Sequence, residues 1–452
     1  MSKKVSSYNP EINEKYALEL AQKLSKMIQC DTTSHNGQED ISSYLEFHKV
    51  LEKLFPLVHK NLKKTIIDGS LLFKWNGKTN DKPILLMSHQ DVVPAEGEWI
   101  HEPFSGEIID GKIWGRGAAD TKGSLMAFFQ AVEELLSEGF NPECDVYLAS
   151  SCTEEWAGPG APKTVEELKK RGVELFLLCD EGGAIIEEPV GGIKGHYAMV
   201  GISEKGRANI KFTAKSNGGH ASAPPKNSPI ARLSAFVTDI EKKSPFKKKF
   251  SPGVSAMFKA LSKYADFPLN FILGNLWLFG PILKVVMPSI SPQGAAMLQT
   301  TMAFTMQSGS DAFNVLPQEA SVNANLRYVP HQGEKETLEL LRDKAKKYDL
   351  EMEIILSDEY SDSVDINGEA YKIVEETIKK TFPGLAVSPY VMTAGTDAYF
   401  YEEICKNCIR FAPILLNPEQ MKGIHGLNEN IDVNCLPGAV SFYKNLIKAQ
   451  KR

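Results

Sequence analysis

Residues 83–91 have the sequence PILLMSHQD, in which a short apolar run leads directly into a histidine and an aspartate. An apolar run of this length bounded by polar residues is typical of a strand buried inside a sheet. We therefore predict a buried strand that ends at Ser88 and His89. His89 and Asp91 would then lie at the carboxyl end of that strand, the edge where open α/β sheets bind ligands.

Outward from this strand, helical and strand patterns alternate along the chain. Apolar residues at helical spacing predict helices over 13–29 and 122–138, and Gly139 ends the second. Apolar runs at 145–151 and 174–179 predict two more buried strands. Strands that alternate with long helices are typical of an α/β sheet with helices on both faces, which is the fold class that we expect.

The pattern changes near Gly206. From there the elements resemble a small α+β unit, with strands at 207–215, 319–328 and 351–356 and helices at 226–243 and 335–348. The stretch between the first helix and the second strand is predicted to be irregular. The long-helix pattern then returns, with elements at 366–381, 408–413 and 435–449. We therefore expect a larger discontinuous domain, 1–204 with 358–452, and a smaller inserted domain over 205–357.

Composition limits the classes of function. The chain has 452 residues, of which 42% are hydrophobic and 24% charged, as in globular proteins with more than one domain. Its net charge of −6 provides no basic excess to neutralise phosphates, so we expect no nucleic-acid partner. The polar start lacks the apolar core of a secretory signal, and the seven cysteines suit reduced thiols. Both observations favour a cytoplasmic protein.

One apolar segment differs from the rest: FPLNFILGNLWLFGPILKVVM at residues 267–287. It has about the length needed to cross a bilayer. It nevertheless contains Asn270, Pro281 and Lys284, and a single span there would separate the two halves of the larger domain. We therefore expect no membrane span. A buried or lid-like hairpin of helices is the plainer interpretation of this apolar insert, near 250–297. A surface that contacts a membrane or an apolar ligand is the alternative.

Histidine and acidic residues occur just beyond the ends of the predicted strands. Besides His89 and Asp91 they are Asp120, Glu154, Glu155, Asp180, Glu181 and His425. Taken singly, each could be a core histidine, a helix cap or a solvated acidic corner. Together at one sheet edge, the carboxylates would repel one another unless cations neutralise them. Mixed histidine and carboxylate ligands suit two divalent metals such as zinc.

A family resemblance rests on eight ordered motifs: SHQDVVP, WGRGAADTKG, TEEWAG, LLCDEGG, GGHASAPP, NANLRY, AGTDAY and GIHGLNE. Over about residues 80–430 the chain resembles the dinuclear zinc exopeptidase and aminoacylase family of clan MH. That family includes carboxypeptidase G, carboxypeptidase S, aminoacylase and succinyl-diaminopimelate desuccinylase. The apolar insert and the stretch RFAPILLNPEQMKGIHGLNE are most similar to the branch of carboxypeptidase S and N-fatty-acyl-amino-acid hydrolase/synthase. The resemblance implies a zinc exopeptidase-like sheet between helices, with an inserted lid or dimerisation domain.

The resemblance also implies a metal site and a general base. Five residues would bind two zinc ions, or cobalt or manganese in their place: His89, Asp120, Glu155, Asp180 and His425. Asp120 would bridge both metals, Glu154 would take a proton from the attacking water, and Asp91 would orient His89. Because neighbours on an extended strand face opposite ways, the chain must turn at 153–156 for Glu154 and Glu155 to fill their two roles.

Further positions match substrate contacts of the family. His220 would stabilise the tetrahedral oxyanion, and in dimeric relatives it reaches the partner's site. Arg327 would clamp a free carboxylate, a bidentate task for which lysine is poorly suited. Asn314 and the backbone of Gly395 and Thr396 would make further contacts. His220 could instead be a plain turn residue, and Arg327 could pair with a local acid.

These features predict a zinc-dependent amidohydrolase that cleaves an amide bond next to a free carboxylate, in N-acyl amino acids or short peptides. The expected partners are such a substrate and, through the lid, a second copy in a homodimer. One departure affects the substrate pocket: relatives have Asp-Ser-Arg after the Gly-Thr pair, whereas this chain has Asp397, Ala398 and Tyr399. The alternatives are a dipeptidase or aminopeptidase of the same family, and a non-catalytic zinc-binding scaffold.

Overall fold

The computed structural model describes residues 5–9, 13–38 and 40–450, so part of the polar start of the chain lies outside the described residues. The strands are β1 Lys63–Ile67, β2 Ser70–Trp75, β3 Thr79–Met87, β4 Ile108–Ile109, β5 Lys112–Trp114, β6 Cys144–Ser150, β7 Leu177–Asp180, β8 Ala184–Glu187, β9 His196–Glu204, β10 Gly206–Lys215, β11 Gly219–His220, β12 Thr301–Ser308, β13 Val315–Leu316, β14 Glu319–Tyr328, β15 Glu351–Asp358, β16 Ala386–Met392, β17 Cys408–Arg410, β18 Leu415–Leu416 and β19 Asn430–Asp432.

The α-helices are α1 Glu14–Ile28, α2 Ser42–Leu54, α3 Pro56–Asn61, α4 Gly123–Ser137, α5 Gly160–Lys170, α6 Pro229–Lys242, α7 Pro252–Ser262, α8 Leu269–Gly274, α9 Leu276–Ile290, α10 Pro292–Leu298, α11 Glu334–Lys347, α12 Glu369–Thr381, α13 Ala398–Tyr401, α14 Pro418–Gly423 and α15 Leu436–Ala449.

The main sheet has the strand order β1-β2-β6-β3-β7-β17-β9-β8-β18, and β16 also pairs with β9. Its central strand, β3, runs parallel to both β6 and β7. Alternate side chains of β3 enter different cores. Ile84 and Leu86 pack with α1, α4, α12 and α15, whereas Leu85 and Met87 pack with α5 and α13. Because a strand presents successive residues to opposite faces, the continuous apolar run means that helices cover both faces. The predicted α/β class is confirmed.

A second sheet has four antiparallel strands in the order β12-β14-β10-β15. Helices α6 and α11 contribute Phe236 and Leu341 to a separate core with the apolar residues of these strands. In its register Arg207 of β10 lies opposite Arg327 of β14 and opposite Asp358 of β15. The elements of this sheet fall within the stretch proposed as the insert except for Asp358, the last residue of β15, and the domain boundaries themselves stay a prediction.

The stretch after α6, predicted to be irregular, is largely helical, and that prediction is wrong. Helix α7 places Val254, Met257 and Phe258 at helical spacing against Tyr197 of β9 and Val391 of β16. This segment therefore packs on the main sheet, although its sequence lies between elements of the four-stranded sheet. The predicted helices of the apolar segment are present as α8 and α9. No helix among the described residues has both the length and the apolar character needed to cross a bilayer.

Candidate active site and metal centre

The ends of the main-sheet strands bring several of the predicted ligands together. Strand β3 ends at Met87, just before His89. Strand β6 ends at Ser150, and the chain then forms one turn of 3₁₀ helix at Glu154–Trp156, followed by Ala157 with a φ of 55°. The predicted turn at 153–156 is thus confirmed. It places both glutamates beside the end of β3.

Asp120 lies between two histidines. One of its carboxylate oxygens is 2.9 Å from Nε2 of His89, and the other is 3.0 Å from Nε2 of His425. His425 Nε2 is also 3.0 Å from Oε2 of Glu155. One ligand atom each from His89, Asp120 and Glu155 lies within 4.8 Å of the other two. This geometry suits a carboxylate that bridges two metal ions.

A second group of ligand atoms differs from the prediction. His89 and Glu154 lie with Glu181, and their ligand atoms are within the same 4.8 Å of one another. Asp180, the predicted ligand, accepts two backbone donors: Oδ1 accepts the N–H of Glu181 at 2.8 Å, and Oδ2 accepts the N–H of Ala398 at 3.0 Å. The structure therefore groups Glu181 with the other ligand atoms, and the assignment of Asp180 as a ligand stays a prediction. The sequence contained both carboxylates but not the orientation of each.

Asp91 is fully buried and connects His89 to the turn that carries the two glutamates. Its carboxylate accepts the N–H groups of Glu154 and Glu155 at 3.2 and 3.1 Å and the Ser34 hydroxyl at 2.8 Å. Nδ1 of His89 is 2.9 Å from the backbone oxygen of Asp91 and 3.5 Å from its carboxylate. Asp91 thus fixes both the imidazole orientation and the position of the turn.

The electrostatics of the cluster favour bound cations. Burial raises the pKa of Glu154 well above its usual range, and the nearby carboxylates of Glu181 and Asp397 raise it further. Hydrogen bonds to Asp120 and Glu155 raise the pKa of His425 to about 10. Buried carboxylates repel one another strongly when unpaired, and divalent cations remove that repulsion. The mixed histidine and carboxylate donors therefore fit a pair of divalent metals.

Sequence reasoning missed the residue that positions Asp120. Glu429 is fully buried and accepts the N–H groups of Ala119 and Asp120 at 2.8 and 3.0 Å through Oε1. Its Oε2 accepts from Arg116 Nη1 at 2.8 Å and from the N–H of Gly117 at 3.1 Å. Glu429 belongs to the motif GIHGLNE and Arg116 to WGRGAADTKG. Both residues therefore lie in motifs that the sequence analysis used, but it gave neither of them a role.

A cavity of about 500 Å³ adjoins the cluster. Glu154, Glu155 and His425 line it from the main sheet, and Arg207 and Arg327 line it from the four-stranded sheet. Arg207 is paired with Asp358 at 2.7 Å. Arg327 is half-buried and forms no salt bridge with any residue that the structure describes, and burial followed by the charge of Arg207 lowers its pKa. The cavity therefore presents an unneutralised guanidinium near Glu154.

The Gly395–Thr396 turn lies beside Arg327. A Cβ atom placed on Gly395 would lie 3.9 Å from Nη1 of Arg327. Both residues of the turn line the cavity. Buried Glu204 fixes the turn by accepting the N–H of Thr396 at 2.7 Å. Tyr399, the residue at which the sequence departs from the expected motif, also lines this cavity.

His220 and Asn314 are not brought to the cavity within one chain. His220 pairs with Val315 in the two-stranded ribbon β11-β13, and the carbonyl of Asn314 accepts the N–H of Ala221 at 3.0 Å. Both residues are exposed. His220 Nδ1 lies 2.7 Å from the Ser222 hydroxyl. Any role of these residues at a metal centre thus requires a second chain or a movement of the ribbon.

Comparison with known proteins agrees with this geometry. Residues 85–449 match the family described as Peptidase family M20/M25/M40, and the chain belongs to that family. It is therefore an enzyme of the metallopeptidase class, with a fold that combines a catalytic sheet and a lid.

Individual relatives cover nearly the whole chain. "Probable carboxypeptidase S-like 2" of Dictyostelium discoideum is 35% identical, over 95% of this chain and 85% of the relative. "N-fatty-acyl-amino acid synthase/hydrolase PM20D1" of Xenopus tropicalis is also 35% identical, over 97% of this chain and 87% of the relative. Among solved structures, the M20 family metallo-carboxypeptidase Sso-CP2 of Sulfolobus solfataricus superposes with a TM-score of 0.71 at 18% identity, covering 95% of this chain and 98% of the other.

Proposed function

We propose that this enzyme is a dinuclear zinc amidohydrolase that cleaves the amide bond of N-acyl amino acids or short peptides next to a free carboxylate. One observation carries the proposal: the same cavity is lined by Glu154, with its cluster of ligand side chains, and by the unpaired guanidinium of Arg327. A guanidinium at that position suits a carboxylate, which it can bind through two parallel hydrogen bonds.

The metal ligands are proposed from the geometry. His89 and Glu181 would hold one ion, Glu155 and His425 the other, and Asp120 would offer one oxygen to each. Zinc suits these donors, and cobalt or manganese would suit them too. When bound, the metals would polarise the scissile carbonyl and lower the pKa of the attacking water.

Glu154 is the proposed general base. Its environment raises its pKa, so the carboxyl group can both accept a proton from water and return it to the leaving amine. Asp91 holds the N–H groups of Glu154 and Glu155, which fixes the base relative to the ligands. Arg327 would orient the substrate so that the amide next to the bound carboxylate faces Glu154.

The acyl side of the substrate is proposed to be long and apolar. The relatives named for N-fatty-acyl amino acids support this, and so do the aromatic rings of Trp156, Tyr399 and Phe400 in the cavity wall. We further propose a homodimer, in which exposed His220 of one chain would serve the cavity of the other. A cytoplasmic location is supported by the cysteines, since no disulfide forms between the residues that the structure describes.

A panel of substrates tests the proposal. Amine release would be measured for N-acetyl and long-chain N-acyl amino acids, free dipeptides and the C-terminal amide of each, with Glu154→Gln as the blank. We expect hydrolysis of the N-acyl amino acids but not of their amides, with kcat/KM rising with chain length. Hydrolysis confined to free dipeptides would indicate a dipeptidase instead. No hydrolysis by protein containing two metals would contradict the proposal.

A further inference from the structure

Helix α9 is apolar around most of its circumference yet is barely covered. Only Gly280 among its fifteen residues is buried. Trp277 is 81% exposed, Ile282 62% and Ile290 74%. A helix that is hydrophobic all round is normally enclosed by protein or lipid. We use "the apolar face" for its exposed side together with that of α8: Phe271, Trp277, Leu278, Ile282 and Val285.

The helix is held to the protein along one edge, so the apolar face is a fixed surface. Leu276, Leu283 and Met287 pack against the core formed by α7 and strand β9. The rings of Phe271 and Phe279 are 5.5 Å apart in an edge-to-face contact, which joins α8 to α9. On this docked helix Leu278 and Val285 lie between Trp277 and Ile282 around the circumference, so these exposed residues share one side.

The segment that carries this face is basic in sequence, whereas the chain as a whole is acidic. Residues 246–310 contain six lysines and one acidic residue, Asp266, whereas the complete chain has six more acidic than basic residues. Lys284 lies on α9 itself, and two exposed lysines belong to the adjoining segment, Lys259 on α7 and Lys263 directly after it. Apolar residues with a tryptophan and flanking lysines are the combination that binds the interface of an anionic bilayer.

We propose that the apolar face binds the surface of an anionic lipid bilayer. The helix would lie in the interface rather than cross it. Its fifteen residues extend for about 22 Å, shorter than the roughly 30 Å of a hydrocarbon core. Trp277, Ile282 and Val285 would enter the boundary between headgroups and acyl chains, and the lysines would contact the headgroups. This proposal is independent of the substrate proposed above.

Vesicle flotation of the full chain tests the proposal. Vesicles of phosphatidylcholine alone would be compared with vesicles that also contain phosphatidylglycerol, at low and high salt. We expect binding to the anionic vesicles that weakens as salt increases. Brominated lipid should quench the emission of Trp277, and Trp277→Phe should lose that quenching.

Matched variants separate the apolar and charged contributions. The triple variant Trp277→Ser/Ile282→Ser/Val285→Ser should reduce partitioning into anionic vesicles roughly 100-fold, because three side chains no longer leave water. Lys259→Gln/Lys263→Gln/Lys284→Gln should remove the salt dependence. The control Leu18→Ser/Ile66→Ser/Ile100→Ser replaces residues that are also exposed and should bind like the wild type.

Three outcomes would overturn the proposal. The wild type could fail to bind either vesicle type, or the triple serine variant could bind as well as the wild type. The triple serine variant could also halve the mass of the protein in solution while neither form binds vesicles, which would make the apolar face an interface between two copies. Unchanged circular dichroism and amidase activity would show that each variant is folded.

Discussion

Replacement of Glu429 by glutamine should destabilise the loop that carries Asp120. Glu429 accepts four hydrogen bonds, and each of its two oxygens receives two of them. In Glu429→Gln one oxygen becomes an amide NH₂, so whichever way the amide turns, two of the four contacts become donor against donor. Arg116, which is 2% exposed, would also lose its counter-charge.

The expected cost is that of breaking a buried ion pair, about 3–5 kcal/mol of unfolding free energy. Urea denaturation followed by circular dichroism would measure it. Because Glu429 fixes the N–H of Asp120, metal affinity measured by competition with a chelator should fall about 10- to 100-fold. Glu419→Gln is the matched control, because its pair with Lys422 is exposed and should contribute less than about 1 kcal/mol. A Glu429→Gln protein within 1 kcal/mol of wild type, with unchanged metal affinity, would refute the reasoning.

Three further changes test other parts of the site. Glu181→Gln should lower the metal content measured by elemental analysis, whereas Asp180→Asn should leave it unchanged, and the reverse result would restore the sequence-based assignment. Arg327→Lys should reduce kcat/KM for N-acyl amino acids about 100-fold, because one ammonium replaces a bidentate contact, and an unchanged value in steady-state kinetics would exclude the clamp. Burial lowers the pKa of His48 to about 4, so the folded protein binds fewer protons than the unfolded chain between pH 6.5 and 4. The free energy of unfolding should therefore fall by roughly 3 kcal/mol as the pH drops through that window. In His48→Phe, urea denaturation should show no such contribution.

The sheet strands that the sequence predicted are those with a clear apolar pattern. The strand at 319–328 has the bounds of β14, and the run at 83–87 forms the end of β3. Strand β16 was missed because AVSPYVM contains Pro389 and has little alternation. The stretch after α6 was missed because prolines and serines interrupt its helices, which depend on packing against β9 and β16.

Within the site, sequence identified the donor types better than their orientations. Asp180 and Glu181 are adjacent, and the orientation of the Asp180 carboxylate depends on the N–H of Ala398, a residue far away in the chain. The pair of Arg116 and Glu429 was missed for a similar reason. Neither residue lies among the predicted ligands, and their contact joins two motifs more than 300 residues apart. Such contacts depend on the tertiary fold and leave no local pattern.

Lys205 connects the apolar face to the catalytic cavity. It lines that cavity, and its Nζ donates to the carbonyls of Ala296 and Gln299 at 3.1 and 3.0 Å, at the end of α10. Helix α10 follows α9 directly, so the segment that carries the apolar face has a fixed orientation relative to the cavity. Long-chain N-acyl amino acids partition into lipid. If they are the substrates and the apolar face binds a bilayer, that contact would also orient the cavity toward the membrane that holds the substrate. Lys205→Met would then reduce hydrolysis of vesicle-bound substrate more than hydrolysis of a short, soluble one, and equal losses on both substrates would show that the two sites are not coupled.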